Sequence, residues 1–431
     1  MKKFMAIVAP VSSRSGYGAH ARDLVKSFID IGEYDIKIND VPWGSCPRNA
    51  LDKNNSEDKK ILDCILDEPK LDKQPDIYVD IRIPNEFEQH GKFNIGITAG
   101  VETTAVSQVW LDGCNKMDLL IVPSEHSKTG FVQSLYEQMK KLPDGGMQKL
   151  GELKLEKPIE VLFEGADEDI YKPIENASLD LVDDIKEDFA FLSVGQWGNA
   201  PFGEDRKDIG TLVKLFYEAF ANKKNIPALI LKTNGATYSI LDREDCLLKL
   251  NMIKKQFPSD WKLPNVYLLH GDFTDVEMNK LYNHPKIKSF VTFTHGEGFG
   301  RPLLEASMTG LPIIAPAWGG QVDFLNSEQS LIVPGEVREV PKSAVWENII
   351  IPESKWYYVD NNLGYKALTL MFENIEEYQQ KAKKQQSNNS NLYTLNKMTK
   401  KLSGIMKKYT NNISSQVELK LPKLKKVKET I

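Results

Sequence analysis

Two glutamates, Glu297 and Glu305, stand eight positions apart in the segment THGEGFGRPLLEASMTGLPIIAPAWGG, residues 294–320. Glu297 lies in a glycine-rich stretch, His295 to Gly300, which follows a short apolar run ending near Thr294. Pro302 suits the first position of a helix, where a missing N–H costs nothing. Gly310 suits the position just past the helix end, and Pro312 follows. The segment therefore predicts strand, tight loop, helix. Its glycines, Gly298 and Gly300 around Phe299, let backbone N–H groups come close to a ligand. A helix N-terminus carries unpaired donors and partial positive charge, so an anionic phosphate group is stabilised there. Glu305 falls one turn into that helix, and helical side chains lean towards the N-terminus. It can reach back to the same ligand. An ionised carboxylate accepts hydrogen bonds from sugar hydroxyls, and two at this separation can grip two different hydroxyl-bearing rings. Beside a diphosphate they cost energy unless hydroxyl donors or cations compensate. Carboxylates are mostly solvated surface groups; the setting, rather than the pair, points to chemistry.

A diphosphate leaving group calls for cations, because charge builds on it as its bond breaks. Arg206 and Lys207 precede an amphipathic helix on which Ile209, Leu212, Val213, Phe216 and Phe220 share one face. Two cations at a helix start are unfavourable without an anion nearby. Near the other end of the chain, Ser15-Gly16-Tyr17-Gly18 joins an apolar run to a second amphipathic pattern (Ala21, Leu24, Val25, Phe28). Gly16 and Gly18 read either as a tight turn or as a second close-approach loop. Glu102, in Gly100–Thr104, follows another strand candidate. His295 either lines the ligand pocket or packs and hydrogen-bonds behind it. Cys46, Cys64, Cys114 and Cys246 show no CxxC and no zinc-like histidine spacing, so free thiols in a reducing, cytoplasmic compartment and no metal site are expected.

These groups need a scaffold. Apolar runs alternate with helical patterns throughout, the mark of parallel sheets with crossover helices. Strands are expected at 4–9, 76–81, 93–98, 119–123 and 161–163. After the polar, acidic stretch 176–188 come 189–194, 228–232, 266–270, 289–293 and 312–315, with a helix at 275–282. Two βαβ systems predict two doubly wound domains with a cleft between them. The expected division is 1–175, 186–375, C-terminal helices within 376–415, and a basic tail, 416–431. Helical patterns at 372–384 and 395–406 are separated by QQSNNSNL, which reads as a polar break. The tail LKLPKLKKVKETI reads as disordered and solvated, or as a peripheral contact with an acidic surface such as anionic lipid.

Composition narrows the function. A net charge of −5 offers no general basic excess for holding a nucleic-acid backbone. No apolar stretch approaches the roughly 20 residues that span a bilayer. The N-terminal MKKFMAIVAP is too short in its apolar part for a signal peptide and reads as the first strand.

The run from Glu297 to Glu305, EGFGRPLLE, with Gly310-Leu311-Pro312 and Trp318-Gly319-Gly320 beyond it, resembles the E-x7-E motif of family 4 retaining glycosyltransferases. The resemblance is strongest from about 189 to 360. It implies the GT-B fold, two Rossmann-like domains facing across a cleft, with the last helix crossing back to the first domain. It implies that Glu297 contacts the transferred sugar and Glu305 the nucleotide ribose. It also implies that Lys207 and Arg206 hold the diphosphate, and that the Gly16–Gly18 loop faces the donor across the cleft. Gly100–Thr104 and Val122–Ser127 resemble first-domain segments of the same enzymes, with Glu102 as the candidate acid near the acceptor; His126 takes no role. The chain departs from the pattern at Gln196, where an arginine is usual, and through GNAPFGED, which lengthens the loop before Arg206. The implied activity is transfer of a sugar from a nucleoside-diphosphate sugar to an acceptor hydroxyl, with retention and without a metal or other cofactor. A glycan, a lipid, a protein or a modified nucleobase is open as acceptor. Two alternatives stand beside it: a nucleotide-sugar epimerase on the same scaffold, and a catalytically silent sugar-binding module.

Overall fold

The computed structural model describes residues 2–143, 146–235 and 237–413; the basic tail at 416–431 lies outside them. The first half builds β1 (Lys3–Ala9), β2 (Tyr34–Asp40), β3 (Ile77–Ile81), β4 (Phe93–Ile97) and β5 (Leu119–Val122). An antiparallel ribbon of β6 (Tyr136–Lys141) and β7 (Met147–Leu153) then leads to β8 (Ile159–Val161). Six of these form a parallel sheet in the order β2-β1-β3-β4-β5-β8. The second half builds β9 (Ala190–Gln196), β10 (Ala228–Asn234), β11 (Val266–Leu269), β12 (Ile287–Val291), β13 (Ile313–Pro316) and β14 (Leu331–Val333). These form a second parallel sheet, β11-β10-β9-β12-β13-β14. The architecture is thus two doubly wound Rossmann-like domains, and the central strands read as apolar runs because both faces are covered. In each sheet the order reverses beside the first strand, at β1/β3 and at β9/β12. Open α/β sheets bind ligands outside the carboxyl ends of strands at such a reversal.

β2 does not appear among the expected strands. Its sequence YDIKIND alternates, with Tyr34, Ile36 and Ile38 buried and Asp35 and Lys37 exposed, as suits an edge strand half covered. The first sheet closes at Ile159–Val161, slightly before the expected 161–163. The acidic stretch 176–188 carries a short helix, Asp180–Asp183, and packs Val182 and Ile185 into the second domain's core.

QQSNNSNL is not a break. The helix Ile375–Leu392 runs through it. Its amides replace water with fixed partners on the second domain: Gln385 Nε2 donates to Phe324 O at 2.7 Å, and Gln385 Oε1 accepts from Asn326 N at 2.8 Å. Asn389 Nδ2 donates to Ser307 Oγ at 2.6 Å. The chain turns instead at Tyr393, and Thr394 caps the next helix, Leu395–Thr410. That last helix crosses back to the first domain, where Met398, Leu402, Ile405 and Met406 join the core of Leu24, Val25 and Phe28. At the crossing, a Cβ on Gly165 would lie 2.6 Å from Leu395 Cα, so only glycine lets the two stretches of chain pass. No helix among the described residues is long and apolar enough to cross a membrane.

Candidate active site at the interdomain crevice

The carboxyl ends of β9 and β12 bring three charged side chains together. After β12 the chain turns through 292–300 and starts the helix Arg301–Met308, with Gly300 at the N-cap (φ 97°) and Pro302 in the first turn. Gly310, at φ 80°, ends it as the left-handed position past a helix requires. After β9, the loop 197–208 folds back until Asp208 caps the helix Ile209–Phe220 through Thr211 N. Lys207 Nζ then lies 2.5 Å from Glu297 Oε1, and Arg206 Nη1 lies 3.3 Å from Glu297 Oε2 and 3.0 Å from Gly296 O. Glu102, from the first domain, approaches Arg206 Nε at 3.8 Å. Two carboxylates and two guanidinium or ammonium groups thus meet where the domains meet.

Burial would push the Glu297 carboxyl up, but Lys207 and Arg206 outweigh it and hold the group below its ordinary value. Burial pulls Lys207 down, with Arg206 adding to it and Glu297 opposing. A pair of cations kept this close to one carboxylate is poised to take up a further anion.

The first domain touches this loop directly. A Cβ on Gly296 would lie 1.9 Å from Glu102 O, and one on Gly298 would lie 2.4 Å from Ala99 O. Gly298 O accepts from Ser124 Oγ at 2.5 Å and Ser127 Oγ at 3.2 Å. The glycines of the motif therefore serve close contact between domains as well as any ligand. Phe299 points away, buried against Phe324 with ring centroids 5.0 Å apart, so only its backbone can address a ligand. Behind the loop, β15 (Gly335–Glu339) and β16 (Lys355–Val359) form a ribbon. Tyr357 N donates to His295 O at 2.8 Å, and Thr104 N donates to Lys355 O at 2.9 Å, so β16 braces both the Glu297 loop and the Glu102 loop. His295 is fully buried, stacked on Trp356 at 4.6 Å, with Nδ1 2.7 Å from Tyr357 O. Its Nε2 faces Gly203 O at 3.2 Å, so both ring nitrogens have backbone partners.

Glu305 does lean back along its helix, and it finds side-chain partners there. Its Oε1 accepts from Arg301 Nε at 2.9 Å and its Oε2 from Tyr282 OH at 3.1 Å. Burial pushes its carboxyl up to about 7, against the pull of Arg301. Arg301 Nη1 in turn reaches Asp23 Oδ2 at 2.5 Å and Glu164 Oε2 at 3.9 Å, on the first-domain side. Burial works against the Arg301 charge, but Asp23, Glu305 and Glu164 hold it protonated. Arg301, Asp23, Glu164 and Tyr282 are not among the residues singled out from sequence. A signal exists for Arg301: a cation in a helix's first turn opposes the dipole and so calls for acidic partners.

Gly16 and Gly18 differ. Gly16 is exposed, and a Cβ added to it would have nothing within 4 Å, whereas a Cβ on Gly18 would lie 2.2 Å from Ser13 O. Ser15 caps the helix Gly16–Ile31 through Gly18 N. Across the crevice, Arg14 Nε meets Asp272 Oδ2 at 3.2 Å. A surface hollow of about 440 Å³ sits on the first sheet by Lys37, Tyr78 and Arg82, and neither Glu297 nor Lys207 lines it. The charged crevice, unlike that hollow, lies at the reversal of the second sheet and gathers paired charges from both domains.

No family model matches the chain, and no curated protein matches it. Solved structures do. Sucrose-phosphate synthase from Thermosynechococcus elongatus is 14% identical with a TM-score of 0.62, covering 94% of this chain and 99% of its own. Anabaena HepE in complex with UDP-glucose is 13% identical with a TM-score of 0.59, covering 94% and 100%. The α,α-trehalose 6-phosphate synthase from Burkholderia multivorans is 9% identical with a TM-score of 0.58, covering 96% and 100%. Likeness over whole chains at such low identity establishes a shared fold, GT-B.

Proposed function

We propose that this chain is a glycosyltransferase that moves a sugar from a nucleoside-diphosphate sugar to an acceptor hydroxyl, with retention at the anomeric carbon. The observation that carries the reading is the Glu297 carboxylate gripped by Lys207 and Arg206 at the reversal of the second sheet, with Glu102 facing it from the first domain. The UDP-glucose held by the similar Anabaena protein supports a nucleotide-sugar donor. So does the E-x7-E spacing, which points to family 4.

In this reading the first domain parts from Gly296–Gly298 to admit the donor. Lys207 and Arg206 turn from Glu297 to the diphosphate, aided by the N-terminus of the helix Arg301–Met308. Glu297 is then free to accept from hydroxyls of the sugar, and Glu305 to accept from the ribose once Arg301 and Tyr282 yield. Closure brings Glu102 back and excludes water that would hydrolyse the donor. The acceptor oxygen forms the new bond to the anomeric carbon, and the bond to the diphosphate breaks with its electron pair on the nucleoside diphosphate. The acceptor proton passes to the Glu102 carboxylate. Every group in this sequence is a side chain or backbone amide, so the reading needs no metal.

A panel of nucleotide sugars tests it, because a ligand bound to the folded state raises its apparent stability. Stabilisation by one nucleoside-diphosphate sugar is expected. NMR of that donor incubated alone separates transfer from epimerisation: conversion to an epimer without acceptor overturns the transferase reading.

A further inference from the structure

Resting on that reading, we propose that the acceptor is a saccharide whose ring stacks on the Trp43–Tyr17 pair at the first-domain wall of the crevice. Tyr17 stands in the first turn of the helix Gly16–Ile31, and Trp43 follows β2. Their rings are 3.9 Å apart at 24°, the closest ring contact among the described residues. The Tyr17 hydroxyl is committed inward, 2.6 Å from Thr98 Oγ1 and 3.3 Å from Arg82 O. The part of the pair left open to solvent is thus the Trp43 ring, half-buried between the exposed Pro42 and Gly44.

The platform is rigid and well placed. Arg14 N donates to Pro47 O at 2.8 Å, Ala50 N to Ser12 O at 3.0 Å, and Arg48 Nη2 to Asp40 Oδ2 at 2.9 Å, stitching the Trp43 loop to the loop after β1. Arg14 then reaches Asp272 of the second domain. Thr98, which anchors Tyr17, lies at the end of β4, on the chain leading to Glu102. The Tyr17 hydroxyl feels the Glu102 charge, a small addition to the burial that dominates its upward shift. Through Thr98 the aromatic pair is tied to the same strand end whose loop carries Glu102, the group assigned to take the acceptor's proton.

A pyranose presents a C–H face to such a ring and hydroxyls to its rim, and the loop that carries Trp43 also holds a charged pair, Arg48 on Asp40 at 2.9 Å. Aromatic rings that combine a flat apolar body with a few polar neighbours fit this ligand. Sugar hydroxyls can hydrogen-bond that charged pair, and a lipid tail cannot.

The test uses the full chain, the nucleotide sugar that stabilises it best, and methyl glycosides of glucose, galactose, mannose and N-acetylglucosamine. One glycoside is expected to accept the sugar and to receive saturation transfer from aromatic protons in NMR. Trp43→Ala should raise its KM roughly three- to tenfold, Trp43→Phe should restore most of it, and stabilisation by the donor should persist in both. Transfer that ignores Trp43→Ala with no aromatic saturation overturns the proposal. Transfer only to lipid-linked or peptide acceptors, with the donor still bound, overturns it and leaves the donor reading standing. A chain stabilised by no nucleotide sugar removes both.

Discussion

Lys207 Nζ sits 2.5 Å from Glu297 Oε1, joining the loop after β9 to the loop after β12 across the reversal of the second sheet. The pair is buried on both sides, so each charge depends on the other. Glu297→Gln keeps the shape and a hydrogen-bonding oxygen but removes the charge proposed to meet the sugar. Transfer should fall by roughly hundredfold or more while circular dichroism shows a native fold. Unchanged transfer would remove Glu297 from the mechanism.

Arg301 holds three acidic groups from two domains, so its loss should show in stability. Arg301→Met leaves Asp23 buried without its cation and Glu305 without its hydrogen-bond donor, and should cost about 3–5 kcal/mol in urea unfolding. Arg301→Lys should recover part of this, lacking the planar fork that meets two partners at once. A methionine variant as stable as the parent would contradict the clamp.

Glu164 gives the fold a pH dependence. Burial pushes its carboxyl up to about 8 and that of Glu305 to about 7, from 4.5 in an open chain. Both are protonated when folded and ionised when unfolded within that window, so their contribution is full below about 4.5 and is lost as pH rises towards 8. His20 and His126, pulled down by burial to about 3 and about 4, act oppositely, but only below 6.5, where the unfolded chain protonates them. Stability should therefore decline from pH 6.5 to about 7 through both groups and on to about 8 through Glu164 alone, by up to about 1.4 kcal/mol per pH unit for each group. Glu164→Gln should flatten the decline and be the more stable protein at pH 8. A parent whose chemical-denaturation stability rises across that interval would refute this.

Gly296→Ala probes domain contact. Its new Cβ would meet Glu102 O at 1.9 Å, against backbone that cannot yield easily. The variant should bind the donor but transfer slowly, with an enlarged radius of gyration in small-angle scattering. Full transfer by a compact variant would show that the loops need not touch.

Much of this was readable from residue order. Buried parallel strands announce themselves as apolar runs, and Gly300, Pro302 and Gly310 punctuate the central helix at positions that backbone geometry demands. Other parts depend on tertiary partners. β2 alternates instead of running apolar, so it is visible only to a period-two reading. Gln385 and Asn389 look like loop composition until Phe324 and Ser307 supply their hydrogen bonds. Glu305 has the right spacing for a ligand and an equally legible i,i+4 partner in Arg301, yet nothing local shows that Tyr282, from another helix, takes its second oxygen. The Trp43–Tyr17 stack joins a loop residue to a residue in a helix's first turn and has no signature in spacing.

Lys207 and Glu297 are the pair on which the proposed nucleotide-sugar site depends. Calorimetric titration of nucleoside-diphosphate sugars into the parent and into Lys207→Met examines this most directly. One such sugar should bind the parent and bind the variant at least roughly tenfold more weakly, the loss of one charge-assisted contact. Equal binding to both proteins, or to neither, would contradict it.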